Sequence, residues 1–389
     1  MSSKVSAQVD VVGGASAGLP RERRRLTVGV EEEYLLLDGH TGMPVARGPR
    51  VVDAAGLVLG SQAQTEFFGA QVEACTRPTV SLTELRSDLA QLRKVMVEAA
   101  ASEGCLLAAT GTPVIPPPCP PAVTPGERYG RMAARWPFLM GSYDGLVCGC
   151  HIHVGVTGLA QALALSHHMR PWLPALQALA ANSPFSLGRD VGWASRRFVE
   201  HARWPCVGPT PLLDAAGYER LADHLVRTGT LMDRRMIYWY ARPSEHVPTL
   251  EIRVCDVNAD LDTVVLLAAL VRGLATTALL PDIADVPPTA GLSAPRLYAA
   301  HRLAARRGLE GEGLDPARGE LVPAAALVER LLAHAASGLA ASGDFDLAEE
   351  LLHRVRRCGG GAARQRAAYL RRGRLSDVVS YLVQTTATA

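Results

Sequence analysis

Three stretches of the 389-residue chain share a pattern that leaves few folds open: "GVEEEYLLLD" at 29–38, "CGCHIHVGV" at 148–156 and "TLEIRVCD" at 249–256. Side chains alternate faces along a strand, so each stretch has one apolar face and one face of acids, imidazoles or guanidinium groups. Glu31 and Glu33 share a face while Glu32 points the other way. His151 and His153 sit opposite Ile152 and Val154, and Glu251 and Arg253 opposite Ile252 and Val254. A lone charge run is commonly a solvated face, and a lone buried histidine is commonly a core residue. Three such strands in one chain weigh against both readings.

Two carboxylates on one face repel each other unless a cation sits between them, and hard divalent ions prefer carboxylate oxygen. Glu73 in "AQVEACT" adds a fourth strand of this kind, with Glu66 nearby. A sheet face carrying Glu31, Glu33, Glu73, His151 and Glu251 is a multi-carboxylate metal cradle with one imidazole. Its mostly oxygen donors predict magnesium or manganese. The His-x-His pair has no further histidine or cysteine spacing to support zinc.

Around these strands the chain reads as α+β. Ser81 with Glu84 three residues later is a capping box that opens a long amphipathic helix ending at Gly104. "CLLAATGTPV" reads as a buried strand, "RYGRMAARWPFLM" as a helix, and "GLAQALALSHHMRPWLPALQALAAN" as helix broken at Pro171. The arginine-rich "SPFSLGRDVGWASRRF" is a candidate binding loop. Residues 262–389 read as mostly helical. "TVVLLAALVRGLATTALL", interrupted by Arg272, reads as a buried helix. Residues 1–24 read as a flexible leader and 25–389 as one catalytic domain with a helical C-terminal part.

Composition narrows the function classes. A net charge of +2 gives no electrostatic case for nucleic acid or membrane as partner. Lys4 and Lys94 are the only lysines, so anions must be held by arginine, which suits bidentate contact with carboxylate and phosphate. The eight cysteines form no Cys-x-x-Cys pair, which argues against a zinc ribbon or thioredoxin-type site, and the lack of a recognisable signal peptide favours a reducing cytoplasm. No Gly-x-x-x-x-Gly-Lys or Gly-x-Gly-x-x-Gly sequence is present, so bound phosphates would be held by metals and arginines.

Eight fragments in order, among them "GVEEEYLLLD", "QVEACT", "CGCHIHVGV", "IYWYARPSEHVPTLEIRVCD" and "GAARQRAA", resemble the second family of glutamate–cysteine ligases, the carboxylate–amine ligases. The likeness runs from about Leu26 to near Thr385. It implies a fold related to glutamine synthetase, a curved, largely antiparallel sheet with helices on its outer face. It implies ATP as co-substrate with Mg2+ or Mn2+, and activation of the γ-carboxylate of L-glutamate as an acyl phosphate for attack by the amine of an amino acid. By matching motifs, Glu31, Glu33, Glu73 and Glu251 resemble the metal carboxylates. His151 resembles the histidine beside metal and nucleotide, and Arg253 the arginine facing phosphate or acyl group, catalytic together with Glu251. Arg128, Arg189, Arg242, Arg364 and Arg366 are candidate nucleotide or substrate contacts.

Tyr240 is a further substrate candidate and a departure, standing where the family pattern is often acidic. A phenol does not hold an ammonium as a carboxylate does, which leaves the acceptor open. Ammonia as acceptor, or a degenerate metal or amino-acid binder, are the alternatives, and a homodimer is kept open.

Overall fold

The computed structural model describes residues 25–117, 120–139, 145–280 and 292–388, so the leader expected at 1–24 lies outside the described residues. Its strands are β1 (Val28–Asp38), β2 (Ala63–Thr65), β3 (Gln71–Cys75), β4 (Cys105–Ala108), β5 (Gly149–Gly155), β6 (Phe185–Ser186), β7 (Arg189–Asp190), β8 (Ala241–Pro243) and β9 (Thr249–Asp256). Seven of them form one open sheet in the order β2-β3-β1-β5-β9-β8, with β4 also on β1. Every pairing is antiparallel. The small β6–β7 hairpin stands apart.

β1 organises this sheet because of its length. Its residues Glu31–Leu35 pair with β3 on one edge. On the other edge Val28–Glu32 pair with β5 and Leu35–Asp38 with β4. Val28, Val30, Glu32 and Tyr34 share one face and are all buried under helices, whereas Glu31 and Glu33 look out on the other. The alternation stops at Leu35, Leu36 and Leu37, which are buried in succession.

The helix Leu82–Ser102 starts as its capping signal predicts: Ser81 Oγ accepts from the Glu84 N–H at 3.2 Å. The return bond is relayed through Thr79, whose hydroxyl donates to Glu84 Oε2 and accepts from Ser81 N–H. This helix supplies Arg93, 1% exposed, which grips Glu32 with two hydrogen bonds of 3.0 and 2.6 Å. Arg93 also donates to the carbonyls of Asn258 and Ala259, just past β9. Glu32, which points away from the metal face, thus has its partner in Arg93.

The helix Leu261–Ala278 is long and apolar enough to cross a membrane by length and composition, yet it is buried inside the fold. Arg272 within it is fully buried and ion-paired with Asp344. It packs along the helix Ala324–Ser342 at a close crossing: a Cβ on Gly338 would collide with the Gly273 carbonyl. The C-terminal part is helical as expected, apart from the hairpin β10 (Glu312–Asp315) and β11 (Glu320–Pro323). Asp315 turns that hairpin by accepting from the N–H groups of Ala317 and Arg318, and Gly319 takes the left-handed φ of 77°.

Candidate active site

Antiparallel register sets the candidate groups in rows across the sheet face that carries Glu31 and Glu33. Glu33 stands opposite Glu73, and Glu31 stands between Cys75 and His151. His153 stands opposite Glu251, which faces Arg242. β9 bulges beside His151: Cys150 faces Cys255 and Ile152 faces Ile252, so Arg253 and Val254 share the space between. A bulge of this kind re-aims a side chain, and here Arg253 bonds the Glu251 carboxylate.

The donor atoms converge. His151 Nδ1 lies 3.3 Å from Glu31 Oε2 and its Nε2 lies 3.6 Å from Glu33 Oε1. His153 Nε2 lies 3.1 Å from Glu31 Oε1, and its Nδ1 is fixed by Thr249 Oγ1 at 2.8 Å. One donor each from Glu33, Glu73 and His151 fall within 4.8 Å of one another, as do donors from Glu31, His153 and Glu251. His151 Nε2 is buried without a hydrogen-bond partner, and His153 Nε2 meets only the Glu31 carboxylate. Crowded carboxylates with an orphaned imidazole nitrogen fit a divalent cation, and the oxygen majority suits magnesium or manganese.

The electrostatics separate these acids. Burial raises the Glu31 carboxyl, but His151 and His153 more than offset it and hold it well below the usual range. Burial opposes Glu251 in the same way, and Arg242 and Arg253 hold it well down. Glu33 is pushed up to about 7 by burial and the charge of Glu66, with Arg197 and Arg253 opposing. Glu73 stands far above the usual range through burial and the charges of Glu31, Glu66 and Glu33. Burial and Arg253 bring His151 down to about 4. Repulsion on this scale is what a bound cation relieves.

Beside the cradle opens a cleft of about 200 Å³. Glu33, Glu66, Arg128, Arg197 and Arg253 give it charge, and Phe67, Tyr129, Trp204 and Tyr238 give it aromatic walls. The rings pack edge to face, Phe67 on Trp204 at 5.4 Å and Trp204 on Tyr238 at 5.9 Å, and the Arg253 guanidinium lies 5.5 Å over Tyr238. Arg197 is 3% exposed and its Nε has no hydrogen-bond partner. Its position depends on Gly149, where a Cβ would meet the Arg197 guanidinium and His151 Nε2.

The structure brings Glu31, Glu33, Glu73, His151, Glu251, Arg253 and Arg242 together. Arg242 is committed to Glu251 at 2.7 Å and to the carbonyls of Arg235 and Ile237. Arg128 lines the cleft and pairs with Asp233. Four others lie outside the cleft lining. Arg189 is exposed on β7. Tyr240 is buried against His301, ring centroids 4.6 Å apart. Arg364 pairs with Asp260 at 3.2 Å, and Arg366 clasps Asp190 and the Trp193 carbonyl, tying down the loop that leads to Arg197. Cys148, Cys150 and Cys255 are buried packing residues. Sequence reasoning noted the shared face of His151 and His153 without assigning His153 a role, and it missed Arg197 and the aromatic walls.

The sequence model of the Glutamate-cysteine ligase family 2 matches residues 27–381. A Saccharopolyspora erythraea protein named as a candidate glutamate–cysteine ligase 2-1 is 43% identical over 363 residues, 93% of this chain and 95% of that protein. A Frankia alni protein named as a candidate glutamate–cysteine ligase 2-2 is likewise 43% identical, over 93% of this chain and 97% of its own. Among solved structures, the glutamate–cysteine ligase of Francisella tularensis in complex with AMP superimposes with a TM-score of 0.70 at 13% identity, covering 94% of this chain and 89% of that one. The bifunctional glutathione synthetase of Pasteurella multocida gives 0.67 at 17% identity, covering 93% of this chain and 52% of that one. These last two share the fold. The chain belongs to glutamate–cysteine ligase family 2, and it is a ligase of the carboxylate–amine type.

Proposed function

We propose that this member of the family uses ATP to activate the γ-carboxylate of L-glutamate and transfers the acyl group to the amine of an amino acid, giving a γ-glutamyl dipeptide. A γ-carboxylate oxygen attacks the terminal phosphorus of ATP, ADP leaves, and the amine nitrogen then attacks the acyl carbon as phosphate departs and the amine loses a proton. The observation that carries this reading is the cradle of Glu31, Glu33, Glu73, His151, His153 and Glu251 beside a cleft walled by Arg197 and Arg253. Phosphoryl transfer asks a protein mainly for positioning and charge neutralisation, and this chain offers both.

In this reading the carboxylates and imidazoles hold Mg2+ or Mn2+, which supplies neutralisation of phosphate charge when bound. Arg253 and Arg197 face the transferred group, and Arg128 at the cleft takes a substrate carboxylate. Arg242 keeps Glu251 ionised and aimed. The aromatic walls favour an amino acid over ammonia as acceptor, because ammonia leaves that apolar surface uncovered. Tyr240, buried away from the cleft, gives no ground for or against cysteine. The reducing cytoplasm suits the seven described cysteines, all free.

The test is ADP release with glutamate alone, with a panel of amino acids and with ammonia, followed by mass analysis of the product. Release stimulated by an amino acid, with a product heavier than glutamate by that residue, is expected. Stimulation by ammonia alone, or by no acceptor, refutes the proposal.

A further inference from the structure

A second cavity, of about 300 Å³, lies between the helix break at Pro171 and the β10–β11 hairpin, and it shares no lining residue with the cleft. We propose that it binds a planar aromatic monocarboxylate. Its volume is at the lower end for small-molecule sites, which suits a small ligand, and its chemistry divides as such sites do, into an apolar body and a few convergent polar groups.

The flat part is built from three rings. Trp172 stacks on His334 at 4.6 Å and 24°, and His334 meets His168 edge to edge, with centroids 5.1 Å apart and planes at 26°. The two imidazoles are linked Nε2 to Nε2 at 3.0 Å, so each fixes the other's plane. Pro171, Pro316 and Leu327 supply apolar walls around the half-buried indole. Rings and prolines present flat surfaces to a flat ligand at low entropic cost.

The charge selects an anion. The lining holds two guanidinium groups, Arg318 and Arg330, against one carboxylate, Asp315. That carboxylate is already committed. Its Oδ1 accepts from the N–H groups of Ala317 and Arg318, and its Oδ2 accepts from Arg330 at 2.8 Å. The Arg318 guanidinium, 4.0 Å from Asp315 and 63% exposed, carries the positive charge left over at the mouth. A carboxylate on a planar aromatic body satisfies that charge while its ring covers Trp172.

Isothermal titration of the full chain with indole-3-acetate tests this. The expected result is saturable binding of one molecule per chain, unchanged by saturating ATP and glutamate. Indole-3-acetamide, which keeps the ring and loses the charge, should bind about tenfold more weakly, and Arg318→Ala should weaken the acid by a similar factor. Ala175→Phe, which fills the cavity, should abolish binding and leave ligase turnover unchanged. No saturable binding, equal binding of acid and amide, indifference to Arg318→Ala, or displacement by glutamate or ATP each overturns the proposal. Arg318→Ala alters an exposed side chain, so the test stands even if Ala175→Phe does not fold.

Discussion

Replacing Glu32 by alanine strands a buried charge. Arg93, whose side chain is 1% exposed, loses both hydrogen bonds to the carboxylate, and Tyr34 loses its 2.7 Å acceptor. Removing one partner of a buried pair costs about 3–5 kcal/mol, because the remaining charge is left uncompensated. Against a total stability of about 5–15 kcal/mol, that is a large share. An unfolding entropy of about 0.8 kcal/mol/K for 389 residues turns it into a Tm drop of about 4–6 °C. Urea unfolding followed by tryptophan fluorescence measures the difference, with Glu31→Gln as the neighbouring control. Glu31→Gln is expected within about 1 kcal/mol of the parent, since an amide oxygen still accepts from His151 and His153 and neither imidazole needs to be charged once the carboxylate is gone. The double replacement Glu32→Leu with Arg93→Met should regain most of the loss, because an apolar pair of similar volume stands in for a buried ion pair. If Glu32→Ala unfolds within about 1 kcal/mol of the parent, or Glu31→Gln costs as much, the division of the three glutamates between two faces is refuted.

Three other outcomes follow from the geometry. Glu31→Gln or Glu251→Gln is expected to abolish ADP release; Glu31→Gln should leave the urea midpoint nearly unchanged, whereas Glu251→Gln should also lower it because Arg242 and Arg253 lose their buried partner, and near-normal turnover in either counts against the cradle. Gly149→Ala places a methyl group against Arg197 and His151; turnover should fall about 100-fold or more with far-ultraviolet dichroism intact, since small misplacements at a reacting centre are costly. His301 is fully buried, its Nδ1 is held by Gln177 at 2.6 Å, and burial brings its pKa down to about 3. It stays neutral in the fold and gains a proton only on unfolding below about pH 6.5, so its contribution is complete above that pH and is lost as pH falls toward 3. Between pH 7.5 and pH 5 that loss is about 2 kcal/mol. His301→Gln should flatten the acid decline in stability by that amount, and an unchanged decline disproves the assignment.

Alternation alone put Glu31 and Glu33, His151 and His153, and Glu251 and Arg253 on functional faces, because a side-chain period of two is a local property. Register is not local. That Glu33 meets Glu73 and Glu31 meets His151 depends on which strands pair and where, and no periodicity in one strand encodes it. Arg197 was hidden for a related reason. In "ASRRF" two arginines adjoin, and only the folded chain shows that Arg196 turns to Glu200 while Arg197 enters the cleft. The β10–β11 hairpin went unread because each strand is four residues long within an alanine-rich helical region, although Asp315-Pro316 and Gly319 are turn signals. Arg364 and Arg366, candidates from the "GAARQRAA" stretch, are held by Asp260 and Asp190, and neither partner is near them in sequence.

The buried pair behind β1 also bears on the chemistry in front of it. The cradle needs β1, β5 and β9 held at fixed spacing while their carboxylates repel. Strand hydrogen bonds join β1 to β5 and β5 to β9, but β1 and β9 do not touch directly in the sheet. Arg93 spans them from behind, taking Glu32 of β1 with one side of its guanidinium and the carbonyls of Asn258 and Ala259 after β9 with the other. The like charges of Glu31 and Glu251 are therefore braced by a cation on the opposite face, out of reach of substrate. One strand can carry three glutamates in a row because the middle one serves the scaffold that keeps the outer two in place.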